Sequence, residues 1–158
     1  MMKARFASAL LSAFLLLGSS AALSAGGFSG NCSGTYLMAE DGGATSLWTL
    51  EADGTFFATS SLQALLNFSD QQGSWKKDGS QGAKGVLLAL VFDGGGALLN
   101  VSRVDISLHT VGNGCNNIAG SLEVREFTGG EDPLDPSTDT GDPIATDTFT
   151  GRRVKANG

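Results

Sequence analysis

From residue 34 onward the apolar positions fall in short runs of period two, separated by Gly, Asp and Asn. No long stretch keeps the 3.6-residue spacing of an amphipathic helix. Eight runs read as strands: 34–39, 45–52, 55–61, 72–77, 86–92, 98–111, 118–127 and 146–154. Asp53-Gly54, between the second and third, is the strongest hairpin signal, because both residue types tolerate the positive φ of tight hairpin turns. Asp41-Gly42, Asp78-Gly79 and Asp93-Gly94 punctuate other junctions. Residues 62–70 (LQALLNFSD) fit either a helical turn or a loop carrying apolar anchors. GSQGAKG at 79–85 has the composition of a phosphate loop without its Gly-Lys-Ser/Thr ending, and its place between strands predicts a flexible hairpin loop.

Alternation assigns the faces. In 98–111, Val104, Ile106 and Leu108 share one side, and Arg103, Asp105, Ser107 and His109 the other; in 118–127, Ile118, Leu122 and Val124 oppose Ser121, Glu123 and Arg125. These two runs form a hairpin across Gly112-Asn113-Gly114, apolar on one face and charged on the other. The run 86–92 is apolar on both faces, so its outer side calls for a cover, from this chain or another subunit. Eight strands with one apolar face predict an all-β domain closed into an eight-stranded antiparallel up-and-down barrel, which removes exposed edges. A β-sandwich is the alternative. A weak repeat supports a meander: Gly34-x-Tyr36 recurs as Gly73-x-Trp75, each followed by an Asp-Gly, an apolar strand and a second Asp-Gly.

Residues 1–25 read as a secretory signal peptide. Lys3 and Arg5 precede an apolar stretch from Phe6 to Gly18, and small residues ending in Leu23-Ser24-Ala25 follow. The stretch is too short for a membrane span, which needs about 20 apolar residues. Cys32 lies too far beyond Ala25 for a lipoprotein site. The expected product is one secreted or periplasmic domain, 26–158, with no membrane anchor. Taking Lys3 and Arg5 from the 10 basic residues leaves 8 against 16 acidic ones. That balance argues against nucleic acid or an anionic membrane as partner.

Cys32 and Cys115 form an even pair in an oxidising setting, and the strand order gives them a meeting place. Cys32 precedes the first strand; Cys115 sits in the connection between the sixth and seventh. Alternating connections bring both to the same barrel end, about two strand spacings apart, roughly 10 Å. A Cys32–Cys115 disulfide is therefore expected. The loops 40–44, 62–71, 93–97 and 128–145 share the opposite end, where any ligand mouth belongs.

Gly34-x-Tyr36, Gly73-x-Trp75, the hairpin from Trp48 through Asp53-Gly54-Thr55-Phe56, and Arg152-Arg153 together resemble lipocalin-like small barrels, the calycins. In that group an arginine from near the chain's end crosses a Gly-x-Trp on the first strand. Tyr36 stands in the tryptophan's place, and Arg152 or Arg153 is the crossing residue. The resemblance implies an eight-stranded barrel and a possible ligand cavity. It leaves function open, since the group holds carriers, inhibitors and enzymes.

Two functional expectations follow. One is a non-enzymatic binding barrel for a small apolar ligand or a protein partner, with Tyr36, Trp48, Phe57, Trp75 and Leu66 as the ligand-contacting residues. The same aromatics would otherwise simply fill the barrel. The other is a cyclase or isomerase in which Arg103, Asp105 and His109 line a polar lumen. The plain reading of that charged face is a solvated outer wall with charge pairs across the hairpin. No nucleophilic triad, cofactor motif or metal-ligand spacing is legible. The oxygen-rich stretch 131–142 (EDPLDPSTDTGD) has enough carboxylates to consider calcium, without EF-hand spacing. Asn31, Asn67 and Asn100 head glycosylation sequons.

Overall fold

The computed structural model describes Phe28, residues 32–139 and residues 141–156. The signal reading of 1–25 and the sequon at Asn31 lie outside them. Eight strands follow in order: β1 (Gly34–Glu40), β2 (Thr45–Leu50), β3 (Thr55–Ser60), β4 (Gln71–Asp78), β5 (Gly82–Phe92), β6 (Leu98–Thr110), β7 (Asn117–Phe127) and β8 (Ala145–Arg153), with one helical turn, α1 (Gln63–Leu66), between β3 and β4. Each strand pairs antiparallel with the next, and β8 returns to β1, so the sheet closes into a barrel without a free edge. The sandwich alternative is excluded. No helix among the described residues is long and apolar enough to cross a membrane.

Turn chemistry sets the register. Between β2 and β3, Gly54 takes a φ of +93° while the Asp53 carboxylate accepts the Thr55 N–H, locking Leu50 opposite Phe56. Gly73 is needed for a different reason. A Cβ there would lie 1.9 Å from the Val86 carbonyl oxygen, so only glycine lets β4 and β5 approach as they do. The 79–85 segment is not the flexible loop expected. Gly82, Ala83, Lys84 and Gly85 belong to β5, with Ala83 buried and Lys84 outward in ordinary alternation, and only 79–81 turns. Residues 62–70 combine both expected forms: α1, ended by Asn67 in the left-handed region, then a bridge from Phe68 to Val91.

The closed end holds the core. Tyr36, Leu50, Phe56 and Ile118 are fully or almost fully buried, and Phe28 plugs the end, its ring 5.7 Å from that of Trp75. Trp48 stacks edge-on against Phe56 and Phe149 at 5.4 and 4.7 Å, forming an aromatic layer across the middle of the barrel. The expected disulfide is present: Cys32 and Cys115 are bonded at this end, their Cα atoms 5.0 Å apart. The Tyr36 hydroxyl lies between the two segments, within hydrogen-bonding reach of the Cys32 carbonyl at 2.9 Å and the Cys115 carbonyl at 3.0 Å. Burial pushes the Tyr36 phenol above its ordinary pKa, opposed by the nearby positive charge of Arg153.

Of the two arginines, Arg153 and not Arg152 lies against the start of β1. It is the register partner of Tyr36, donates to the Ser33 carbonyl and lies against Gly34, whereas Arg152 is exposed. The closed eight-stranded barrel is compatible with the calycin resemblance.

Candidate functional site

The inward positions change character along the barrel. Toward the closed end they are Tyr36, Leu50, Phe56, Leu108 and Ile118; toward the open end they are Glu40, Ser46, Ser60, Gln71, Ser102, Glu126 and Asp147. Above the Trp48 layer this leaves a cup of about 250 Å³, whose apolar walls include Leu87, Val104 and Leu122. That is slightly below the roughly 300–1,000 Å³ typical of drug-sized ligands. The loops sharing this end are those the strand count placed there.

Leu62, Leu66 and Phe68 from the 62–68 segment close one side of the cup. Their placement depends on Gln63. Its amide oxygen accepts the Ser60 N–H at 2.9 Å and the Thr59 hydroxyl, and its amide nitrogen donates to Asp70 at 3.0 Å. The polar groups of the wall are held as well. The Ser46 hydroxyl donates to Glu40 at 2.6 Å, and Asn100 Nδ2 donates to Glu126 at 3.0 Å. The backbone N–H groups of Gly42 and Thr148 donate to Asp147 at 2.9 and 2.8 Å. At the mouth, Leu66 and Ile144 line the cup while remaining 54 and 58 % exposed.

The sequence-derived candidates separate. Trp48 and Leu66 line the cup. Tyr36 and Trp75 lie on the far side of the aromatic layer; Tyr36 is wholly enclosed, and Trp75 donates its indole N–H to the Glu51 carbonyl at 2.8 Å. Phe57 is on the outer wall and 42 % exposed, because its neighbour Phe56 takes the inward position opposite Leu50.

Arg103, Asp105 and His109 also face outward, so the polar-lumen arrangement is not formed. Nor do the charges pair across the hairpin. They pair along the strands: Arg103 with Asp105 at 2.7 Å and Arg125 with Glu123 at 2.6 Å. Both arginines then pin the connection between β7 and β8. Arg103 donates to the Pro133 carbonyl at 2.7 Å, and Arg125 to Asp139 at 2.9 Å and to the Gly141 carbonyl at 3.0 Å. The hydrogen bond from Arg125 holds the Asp139 carboxyl below the usual carboxylate range, helped by the Gly141 N–H. In the same connection, the Ser137 hydroxyl and N–H lower Asp135, and Asp132 accepts the Leu134 N–H. Asp132, Asp135 and Asp139 thus serve the loop's own structure. Among the described residues no group of three His, Cys, Asp or Glu side chains is arranged to hold a metal ion.

A larger hollow of about 880 Å³ lies on the outer wall of β4–β8, lined by Lys76, Lys84, Asp105, Ser107, Ser121 and Thr148 among others. It is an open depression over short side chains that face water, so a ligand there would shed little hydration. The cup is the better candidate.

Only Trp48 and Leu66 of the cup were singled out by sequence reasoning. The polar wall was missed, although it is encoded: in most strands the inward position nearest the open end is Glu, Ser, Gln or Asp. No protein-family model, curated protein or solved structure matches the chain.

Proposed function

We propose that this chain is an exported, non-enzymatic binding barrel that takes up a small, mainly apolar ligand through its open end. One contrast carries the reading. The inward positions are packed with aromatic and aliphatic side chains below Trp48 and leave a walled cup above it, with the half-exposed Leu66 and Ile144 at its mouth. A barrel interior of eight strands is wide enough either to be filled or to hold one small ligand, and this one does each in a different half. The disulfide is consistent with an oxidising compartment. The exposed Leu66 and Ile144 at the mouth also suit a protein-docking module, in which the partner covers it.

The test is native mass spectrometry of protein purified from its own exported fraction, followed by titration with octanol monitored through tryptophan fluorescence, Trp48 being the tryptophan that lines the cup. A retained small molecule, or saturable quenching by octanol, is the expected result. A bare mass together with no response to any apolar probe overturns the carrier reading.

A further inference from the structure

We infer that the cup selects an apolar molecule carrying a protonated amine; this rests on the carrier reading. Three carboxylates, Glu40, Glu126 and Asp147, stand among its lining residues, and no Lys, Arg or His does. The ion pairs described engage Lys84, Arg103 and Arg125 with Asp78, Asp105, Glu123 and Asp139, so none neutralises the three in the cup. Their hydrogen bonds come from neutral donors: a hydroxyl, an amide and backbone N–H groups. Negative charge in a partly dehydrated cavity favours a cationic occupant and opposes a carboxylate one.

A second, independent feature lies on the same wall. Ser102 is only 9 % exposed and lines the cup, and its hydroxyl has no hydrogen-bond partner among the described residues. It is the register partner of Glu126. Its hydroxyl oxygen is not fully buried, unlike Asn100 Oδ1 and Thr110 Oγ1, so it opens onto the cup, where a polar group of an occupant can reach it. An ammonium has three donors and no acceptor, so it can give one hydrogen bond to Ser102 and others to carboxylate oxygens. The apolar tail of such an amine would lie against Trp48, Leu66 and Phe68. The volume of about 250 Å³ limits that tail to a short chain or a single ring.

The experiment compares octylamine, octanol and octanoate on the full exported protein by isothermal titration, with near-ultraviolet circular dichroism confirming the fold. Charge-assisted hydrogen bonds predict that octylamine binds roughly tenfold to a hundredfold tighter than octanol, and octanoate weakest. Glu126→Gln keeps an acceptor for Asn100 and should shrink the amine preference severalfold; Ser102→Ala should do so to a lesser degree. Octanol binding as tightly as octylamine, or octanoate binding tightest, overturns the amine inference while leaving an apolar carrier. No binding by any of the three removes both. The wild-type series alone decides the matter if a variant fails to fold.

Discussion

Replacing Cys32 and Cys115 together by alanine should lower stability through the unfolded chain more than through the native one. The bond joins positions separated by 83 residues, the first before β1 and the second between β6 and β7. On the chain-entropy model the loss for such a loop is about 15 cal/mol/K, or about 4.5 kcal/mol at 25 °C. The native ends are held near each other without the sulfurs, because the Tyr36 hydroxyl reaches both cysteine carbonyls and Phe28 caps the same end. The barrel should therefore still form. For a domain of this size the midpoint of thermal unfolding should fall by roughly 15–20 °C, and a total stability of about 5–15 kcal/mol would be cut substantially. Urea unfolding of the two proteins gives both the free energy and the slope. The slope should rise, since an unfolded chain freed of the link exposes more surface. A loss under about 1 kcal/mol with an unchanged slope would refute the reasoning. So would two reactive thiols per chain in unreduced, denatured wild-type protein.

Tyr36→Phe removes a buried hydroxyl and leaves acceptors beside the disulfide, and should cost about 1–3 kcal/mol in urea unfolding with the bond intact; a loss below about 0.5 kcal/mol would mean water replaces it. Tyr36 is the sole tyrosine, so an ultraviolet tyrosinate titration reads it alone. Its raised folded pKa means stability falls as pH climbs above about 10, and ionisation should coincide with unfolding; reversible ionisation of folded protein near pH 10 would contradict its burial. Leu66→Asp should weaken a bound apolar ligand at least several-fold with little change in thermal midpoint, because Leu66 lines the cup yet is half exposed; loss of folding would make α1 part of the core. Asp139 has a lowered folded pKa, so its contribution to loop attachment is full above the ordinary aspartate range, about 4, and disappears only as pH falls through the lower folded value. The Gly141 amide resonance should follow that transition, and movement centred above pH 4 would refute the Arg125 clamp.

Strand order, closure and the end-to-end placement of loops were readable because each depends on local pattern: alternation sets the inward face, and Asp-Gly or Gly-rich turns set the reversals. Even the misplaced Phe57 had a corrective in the sequence. If Trp48 faces inward, pairing across the Asp53-Gly54 turn puts Ala58 and Phe56 on the same side, and Phe57 must face out. What local pattern does not carry is the third dimension of the 128–144 connection. Arg103 and Arg125 look like ordinary outward charges on their strands; that both reach over to Pro133, Asp139 and Gly141 is a long-range contact with no periodic signature. The same limit explains the extended β5, whose Gly82 and Gly85 read as loop residues until the pairing of β5 with β6 from Gly82 to His109 is known.

The polar wall of the cup was legible in principle, and its location says more than its composition. A barrel shaped for stability alone would continue the aromatic and aliphatic filling seen around Tyr36 and Phe56 to the other end, since each buried apolar side chain contributes about 1.5–3 kcal/mol. Here the upper inward positions are Glu40, Ser46, Ser60, Ser102, Glu126 and Asp147, residues that gain nothing from enclosure unless something pairs with them. Part of that pairing is internal, from Ser46, Asn100 and two backbone N–H groups, and it fixes the carboxylates in place without neutralising them. This departure from the filling pattern is confined to one half of the lumen, the half that the proposed ligand would enter. The unpartnered Ser102 hydroxyl lies within that half.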